Sequence, residues 1–200
     1  MNVRRLRAVP LALTALLTPT LAFAHTGVGE THGFVHGFMH PVTGLDHILA
    51  MVTVGILAWQ LGGRALWALP TAFVGAMAVG GALGVAGVDV PFVELGIALS
   101  VVVLGGAVAL GIKAPLAFAI GLAGFFAIFH GHAHGTEMPD DAGGLAYGIG
   151  FMLATALLHL AGIALGFLIG RFAETSGQSC VRGAGGLICV AGLLIAAGIL

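Results

Sequence analysis

The sequence predicts an all-α fold: a polytopic membrane helix bundle with six transmembrane helices behind a cleaved signal peptide. Three observations predict it. Of the 200 residues, 59% are hydrophobic and only 8% charged, and the mean hydropathy is +1.11; a soluble domain carries roughly 25% charged residues. After the first 40 residues the chain divides into apolar runs near the ~20 residues that a bilayer requires. The 34 glycines follow no Gly-X-Y period, and several recur at the four-residue spacing that lets transmembrane helices approach closely. This composition excludes an ordinary water-soluble globule, and the lack of a basic patch excludes a nucleic-acid binder.

The elements follow in order along the chain. Residues 1–24 read as a secretory signal peptide: Arg4, Arg5 and Arg7, an apolar stretch from Ala8 to Leu17, then Ala22-Phe23-Ala24 as the cleavage site. Pro10 and Pro19 leave too short a run for an uncleaved first span. Cleavage makes His25 the mature N-terminus, with an imidazole and a free α-amine. Residues 25–41 form a histidine-rich periplasmic lead, and residues 42–200 a six-helix transmembrane domain. The spans are placed at about 42–62, 66–87, 91–112, 114–131, 143–170 and 181–200. Breaks fall at Gly62-Gly63-Arg64, Val88–Pro91, Lys113–Pro115, His132–Asp141 and Arg171–Arg182. Long apolar runs without period-two alternation exclude barrel strands. Gly80/Gly84, Gly144/Gly148 and Gly162/Gly166/Gly170 mark close helix packing.

Charge orients the bundle. With an exported N-terminus, Arg64, Lys113, Arg171 and Arg182 all fall on the cytoplasmic side. Glu30, Asp89, Glu137, Asp140 and Asp141 fall outside, in agreement with the positive-inside rule. The expected location is the bacterial inner membrane. Cys180 and Cys189 resemble neither a zinc pair nor a disulfide framework.

Read in that topology, eight of the nine histidines gather at the outer face. His25, His32, His36 and His40 precede the first span, and Asp46-His47 opens it. Glu94 lies near the outer end of the third span, and His130, His132 and His134 lie where the fourth leaves the membrane. His159 alone sits mid-membrane, in the fifth span. If the chain from Thr31 is helical, residues 32, 36, 40 and 47 share one face with Asp46 at its margin. Pro41 breaks that face and aims His40 into a cavity. His130 and His134, four apart, also share a face, and Gly131 and Gly135 leave room for a ligand.

Imidazole and carboxylate ligands without thiolate suit a borderline divalent metal: Ni(II), Co(II), Zn(II) or Cu(II). Mg(II) and Ca(II) call for oxygen ligands instead. Asp46 and Glu94 can ligate directly or orient a histidine through its second nitrogen. Ionisable residues inside a membrane are costly and mark functional sites. Blander readings stand beside these: His159 bonding a backbone carbonyl, Glu94 complementing a helix N-terminus, His25 and His32 in a passive tail. A membrane metalloenzyme is opposed by the lack of His-His pairs and of His-Glu-x-x-His. A haem protein is opposed by the shortage of mid-membrane partners for His159.

His40-Pro41-Val42-Thr43-Gly44-Leu45-Asp46-His47 resembles the first-span signature of the HupE/UreJ family. Phe129-His130-Gly131-His132-Ala133-His134-Gly135 with Glu137 resembles that family's second histidine motif, and span count and length match as well. The resemblance implies a nickel or cobalt permease of the bacterial inner membrane, not an enzyme, associated with supplying hydrogenase or urease. By motif it implies that His40, Asp46, His47, His130, His132 and His134 handle the metal, with Glu94 at an acidic position of the third span. The candidate ligands are therefore His25, His36, His40, Asp46, His47, Glu94, His130, His132, His134 and His159. No resident cofactor is expected; the ion is cargo. No Gly-x-x-x-x-Gly-Lys-Ser/Thr phosphate loop occurs, so transport is expected to be secondary. Protons compete with metal for imidazole, so uptake is expected to fall as external pH drops through about 6.

Overall fold

The computed structural model describes residues 33–138, 143–172 and 177–200. Among them are seven helices and no strand: α1 (Gly33–Thr43), α2 (Leu45–Leu61), α3 (Ala65–Val85), α4 (Val93–Leu110), α5 (Leu116–Thr136), α6 (Gly143–Phe172) and α7 (Gly177–Ala196). The expected signal peptide and the histidines His25 and His32 lie outside the described residues, as do Asp140 and Asp141.

Helices α3 to α7 are each long and apolar enough to cross a membrane, while α1 and α2 meet at 79° and make a sixth crossing only when counted as one bent span. Three boundaries differ from the sequence reading: α7 begins at Gly177, inside the expected break, and ends at Ala196, and the other two lie near the histidines. The first break falls at Gly44, not at Pro41. Pro41 sits inside α1, and the helix runs on to Thr43, whose hydroxyl donates to the carbonyls of Met39 (3.1 Å) and His40 (3.0 Å). Gly44 then turns extended, at φ −82° and ψ 120°. A side chain there would sit 2.9 Å from Asp46 Oδ1 and 3.0 Å from His47 Nδ1 and would press on that pair. The third difference is in α5, which continues through His134 to Thr136. The second histidine motif is helical throughout rather than a loop.

The bundle is built around α2, whose middle from Val54 to Ala58 is buried. Met51, Val54, Leu57, Leu69, Phe73 and Leu104 form the centre of its apolar core. Large apolar side chains on the outside, Trp67, Leu110, Phe118, Leu145 and Leu187 among them, are exposed. That is the pattern of a protein solvated by lipid.

Glycine sets the closest helix pairs. Gly80 and Gly84 of α3 press on the Ile128 and His132 carbonyls of α5, and Gly131 and Gly135 press back on those of Met77 and Gly81. Gly131 and Gly135 therefore serve helix packing, and both also border the cleft beside His134. Gly33, Gly37 and Gly150 close α1 onto α6, Gly55 and Gly162 close α2 onto α6, and Gly166 and Gly170 accept the Trp59 ring. Gly148, expected in the same role, has nothing within 4 Å. Along α3/α5 against α6 runs an apolar cleft of about 370 Å³, with Met77, Met138, Met152, Tyr147 and Phe151 in its lining and His134 at one wall.

The two ends of the bundle differ in chemistry. One end holds the α1–α2 break, the C-terminal turns of α5 and all the described histidines except His159. At the other, Arg64 and Lys113 flank a cavity with Gln60, and Arg182 Nε donates to Ala109 O at 2.8 Å.

Candidate metal centre

The turn at Gly44 places Asp46 and His47 in the first turn of α2, where acids are favoured. The Asp46 carboxylate accepts two hydrogen bonds from the next residue. The His47 backbone N–H and the ring Nδ1–H each lie 2.8 Å from Oδ1. A carboxylate only accepts, so the ring keeps its proton on Nδ1 and presents a bare lone pair at Nε2. This carboxylate–histidine arrangement is the one that orients metal ligands.

Helix α5 supplies the facing rings. His130 and His134, one turn apart, are both buried, at 0% and 5% exposure. The His47 ring lies 4.9 Å from His130 and 4.6 Å from His134, centroid to centroid, and His40 lies 4.4 Å from His134. The Nε2 atoms of His47 and His134 approach to 2.6 Å. Two nitrogens bound to one ion at the usual 2.0–2.1 Å stand about 3.0–3.4 Å apart. With His47 Nε2 bare, His134 Nε2 carries the hydrogen of this contact, and the two become a coordinating pair once that hydrogen moves to His134 Nδ1 and one ring shifts outward.

On the side away from His47, the other nitrogen of His134 meets a carboxylate. Nδ1 lies 3.7 Å from Glu137 Oε2, which is also 3.9 Å from His40 Nε2. Ligand atoms of His40, His134 and Glu137 all lie within 4.8 Å of one another. Phe151 of α6 covers the His134 ring at 4.1 Å, and Tyr147 stands 6.4 Å from His40. Donors from α1, α2 and the C-terminal end of α5, beside α6, thus form one cluster of nitrogen and oxygen atoms.

Of the residues singled out from sequence, His40, Asp46, His47, His130 and His134 come together here. His36 is exposed and adjoins the rim, 6.2 Å from His40 and 5.5 Å from Tyr147. His132 faces away from the cluster. Its Nε2 lies 2.7 Å from the Val88 carbonyl and donates to it, tying α5 to the α3–α4 connection. Glu94 is exposed at the start of α4. It lies six residues before Ser100, which does touch the cluster, and so about 9 Å along the helix and about 120° around it. His159 is wholly buried against Phe73 at 5.1 Å, with neither ring nitrogen bonded. His25 is outside the described residues.

Sequence reasoning passed over Glu137 as a ligand and missed Ser100, Tyr147 and Phe151. Glu137 carried a usable signal, its i+3 spacing from His134. A lone serine or aromatic in an apolar run carries none.

Fold and pocket together define a multi-pass helical membrane protein with an imidazole–carboxylate site near one end of its bundle. The HupE / UreJ protein family matches residues 12–195. Protein HupE of Rhizobium leguminosarum bv. viciae is 45% identical over 190 residues, covering 95% of this chain and 97% of that protein. No solved structure matches. The chain belongs to the HupE/UreJ family.

Proposed function

We propose that this protein is a secondary permease that takes up Ni(II) or Co(II) across the bacterial inner membrane. The observation that carries this reading is the convergence of His40, His47, His130 and His134 with Asp46 and Glu137 in one thiolate-free pocket. Such donors suit borderline divalent ions, and the buried imidazoles among them, His47, His130 and His134, are costly inside a membrane unless they have a function. The charge asymmetry supports a periplasmic location for the pocket, with Arg64, Lys113, Arg171 and Arg182 cytoplasmic. A signal peptide cleaved after Ala24 and a lead over 25–41 belong to the same reading.

In this proposal His40, Glu137 and the outer nitrogen of His134 receive the ion as it sheds water. His36 and His25 raise its local concentration, as does Glu94 at the same end. His47, held by Asp46, and His130 take the ion deeper, with His134 serving each stage in turn as its proton moves from one ring nitrogen to the other. His132 braces the α5 turn. His159 is the polar group available further in, beyond Phe73. Partial ligand sets suit passage, since a site must release what it selects. The family resemblance links the delivered metal to hydrogenase or urease, and Zn(II) is a competing ion for the same donors.

Metal accumulation by cells expressing the protein, with Ni(II), Co(II) and Zn(II) in competition, tests this. Wild type is expected to accumulate Ni(II) or Co(II), and His47→Ala and His130→Ala to abolish accumulation at normal protein levels. Undiminished uptake by both variants refutes the pathway. A haem-type absorption spectrum of the purified protein refutes it in favour of a haem protein.

A further inference from the structure

Ser100 lies in the middle of α4, fully buried, in a stretch otherwise composed of aliphatic residues and glycine. Its hydroxyl makes two contacts. It donates to the Ile97 carbonyl at 2.6 Å, and its oxygen lies 2.9 Å from His130 Nε2. A serine has one proton to give. With that proton committed to Ile97, the oxygen can only accept, so His130 Nε2 must carry the hydrogen. The nitrogen on the other side of the ring, Nδ1, then holds a bare lone pair. That atom is buried and has no hydrogen-bond partner. The ring it belongs to lies 4.9 Å from His47.

We infer that Ser100 is a positioning residue of the metal pocket, selecting the His130 tautomer whose Nδ1 is free to bind an ion. This deepens the permease reading and rests on it. The pocket then has two such devices built from different chemistry. Asp46 fixes His47 with Nε2 unprotonated, in contact with His134, and Ser100 fixes His130 with Nδ1 unprotonated and unbonded. A neutral hydroxyl achieves on the lipid-embedded side what a carboxylate achieves nearer the rim, without placing a second charge at that depth. An unbonded imidazole nitrogen inside a membrane protein is expensive, and a site for a cation explains why His130 Nδ1 is left so.

The test uses full-length protein purified in detergent, with ring nitrogens labelled for ¹⁵N NMR and His130→Gln used to identify the His130 signals. In metal-free wild type, His130 is expected as a single tautomer protonated at Nε2; protonation at Nδ1 overturns the inference without any Ser100 variant. Ser100→Ala is expected to mix the tautomers and to weaken Ni(II) and Co(II) binding about 10–100-fold. Ser100→Thr retains the hydroxyl and is expected to restore both. A Ser100→Ala protein with one unchanged tautomer and wild-type affinity overturns the inference. If wild type binds neither metal, the permease reading falls, and the tautomer measurements still decide what Ser100 does to His130.

Discussion

Replacing Asp46 by alanine separates orientation of a ligand from maintenance of the fold. The carboxylate holds His47 through its ring Nδ1 and its backbone N–H, both at 2.8 Å. Its side chain is 26% exposed, against 7% for His47. The structural part of the loss is therefore modest: an acid in a first helical turn contributes about 0.3–1 kcal/mol. The functional part is larger. Without the acceptor, His47 is free to move its proton to Nε2, the nitrogen facing His134. Loss of such an outer partner costs about 10–100-fold in metal affinity, equivalent to about 1.4–2.8 kcal/mol. Titration of purified protein with Ni(II), alongside a thermal melt, reads the two effects separately. Asp46→Asn keeps the shape and one acceptor oxygen and is expected to fall between wild type and alanine. Wild-type affinity in Asp46→Ala would falsify the argument that this carboxylate prepares His47. A melt displaced far more than the affinity would assign Asp46 to the fold instead.

Two further outcomes follow from the same geometry. Lowering external pH is expected to decrease Ni(II) binding and uptake reversibly, because protons occupy the imidazole lone pairs that the ion needs; a flat binding curve between neutral pH and about 5 contradicts imidazole ligation. Gly131→Ala is expected to destabilise the protein by about 1–3 kcal/mol, since the added carbon meets the Met77 carbonyl, whereas Gly121→Ala on the same helix meets nothing within 4 Å and is expected to be neutral. Equal melting temperatures for the two variants contradict the backbone contact between α3 and α5.

Much of the bundle was legible in the amino-acid sequence because lipid leaves few alternatives for a backbone. Long apolar runs located the helices, and Arg64 and Lys113 marked two of the connections, whereas Arg171 and Arg182 lie within helices. Helical spacing foreshadowed the pairing of His130 with His134, but not that of His40 with Asp46-His47, which the expected continuous helix put on one face and the structure places on two helices bent by 79°. What spacing could not give was the relation between segments. His132 stands two residues from each of its neighbours and therefore on another face, and only the fold shows that a carbonyl at Val88 awaits it. Pro41 carried the stronger breaking signal on local chemistry, yet the chain bends at Gly44, where the Asp46–His47 pair folds back against the backbone. Gly131 and Gly135 illustrate a different limit. A missing side chain reads equally well as space for a ligand or for a neighbouring helix.

Glycine contacts weld α3 to α5 on one side, and α1 and α2 to α6 on the other. The donors are divided in the same way: His40, Asp46 and His47 ride on one partnership, His130, His134 and Glu137 on the other. An ion held by both would act as a rivet across the joint. Any slippage of the two halves would stretch the spacings between donors of opposite origin and leave those within each half untouched, so grip on such an ion and the posture of the bundle would be mechanically one variable.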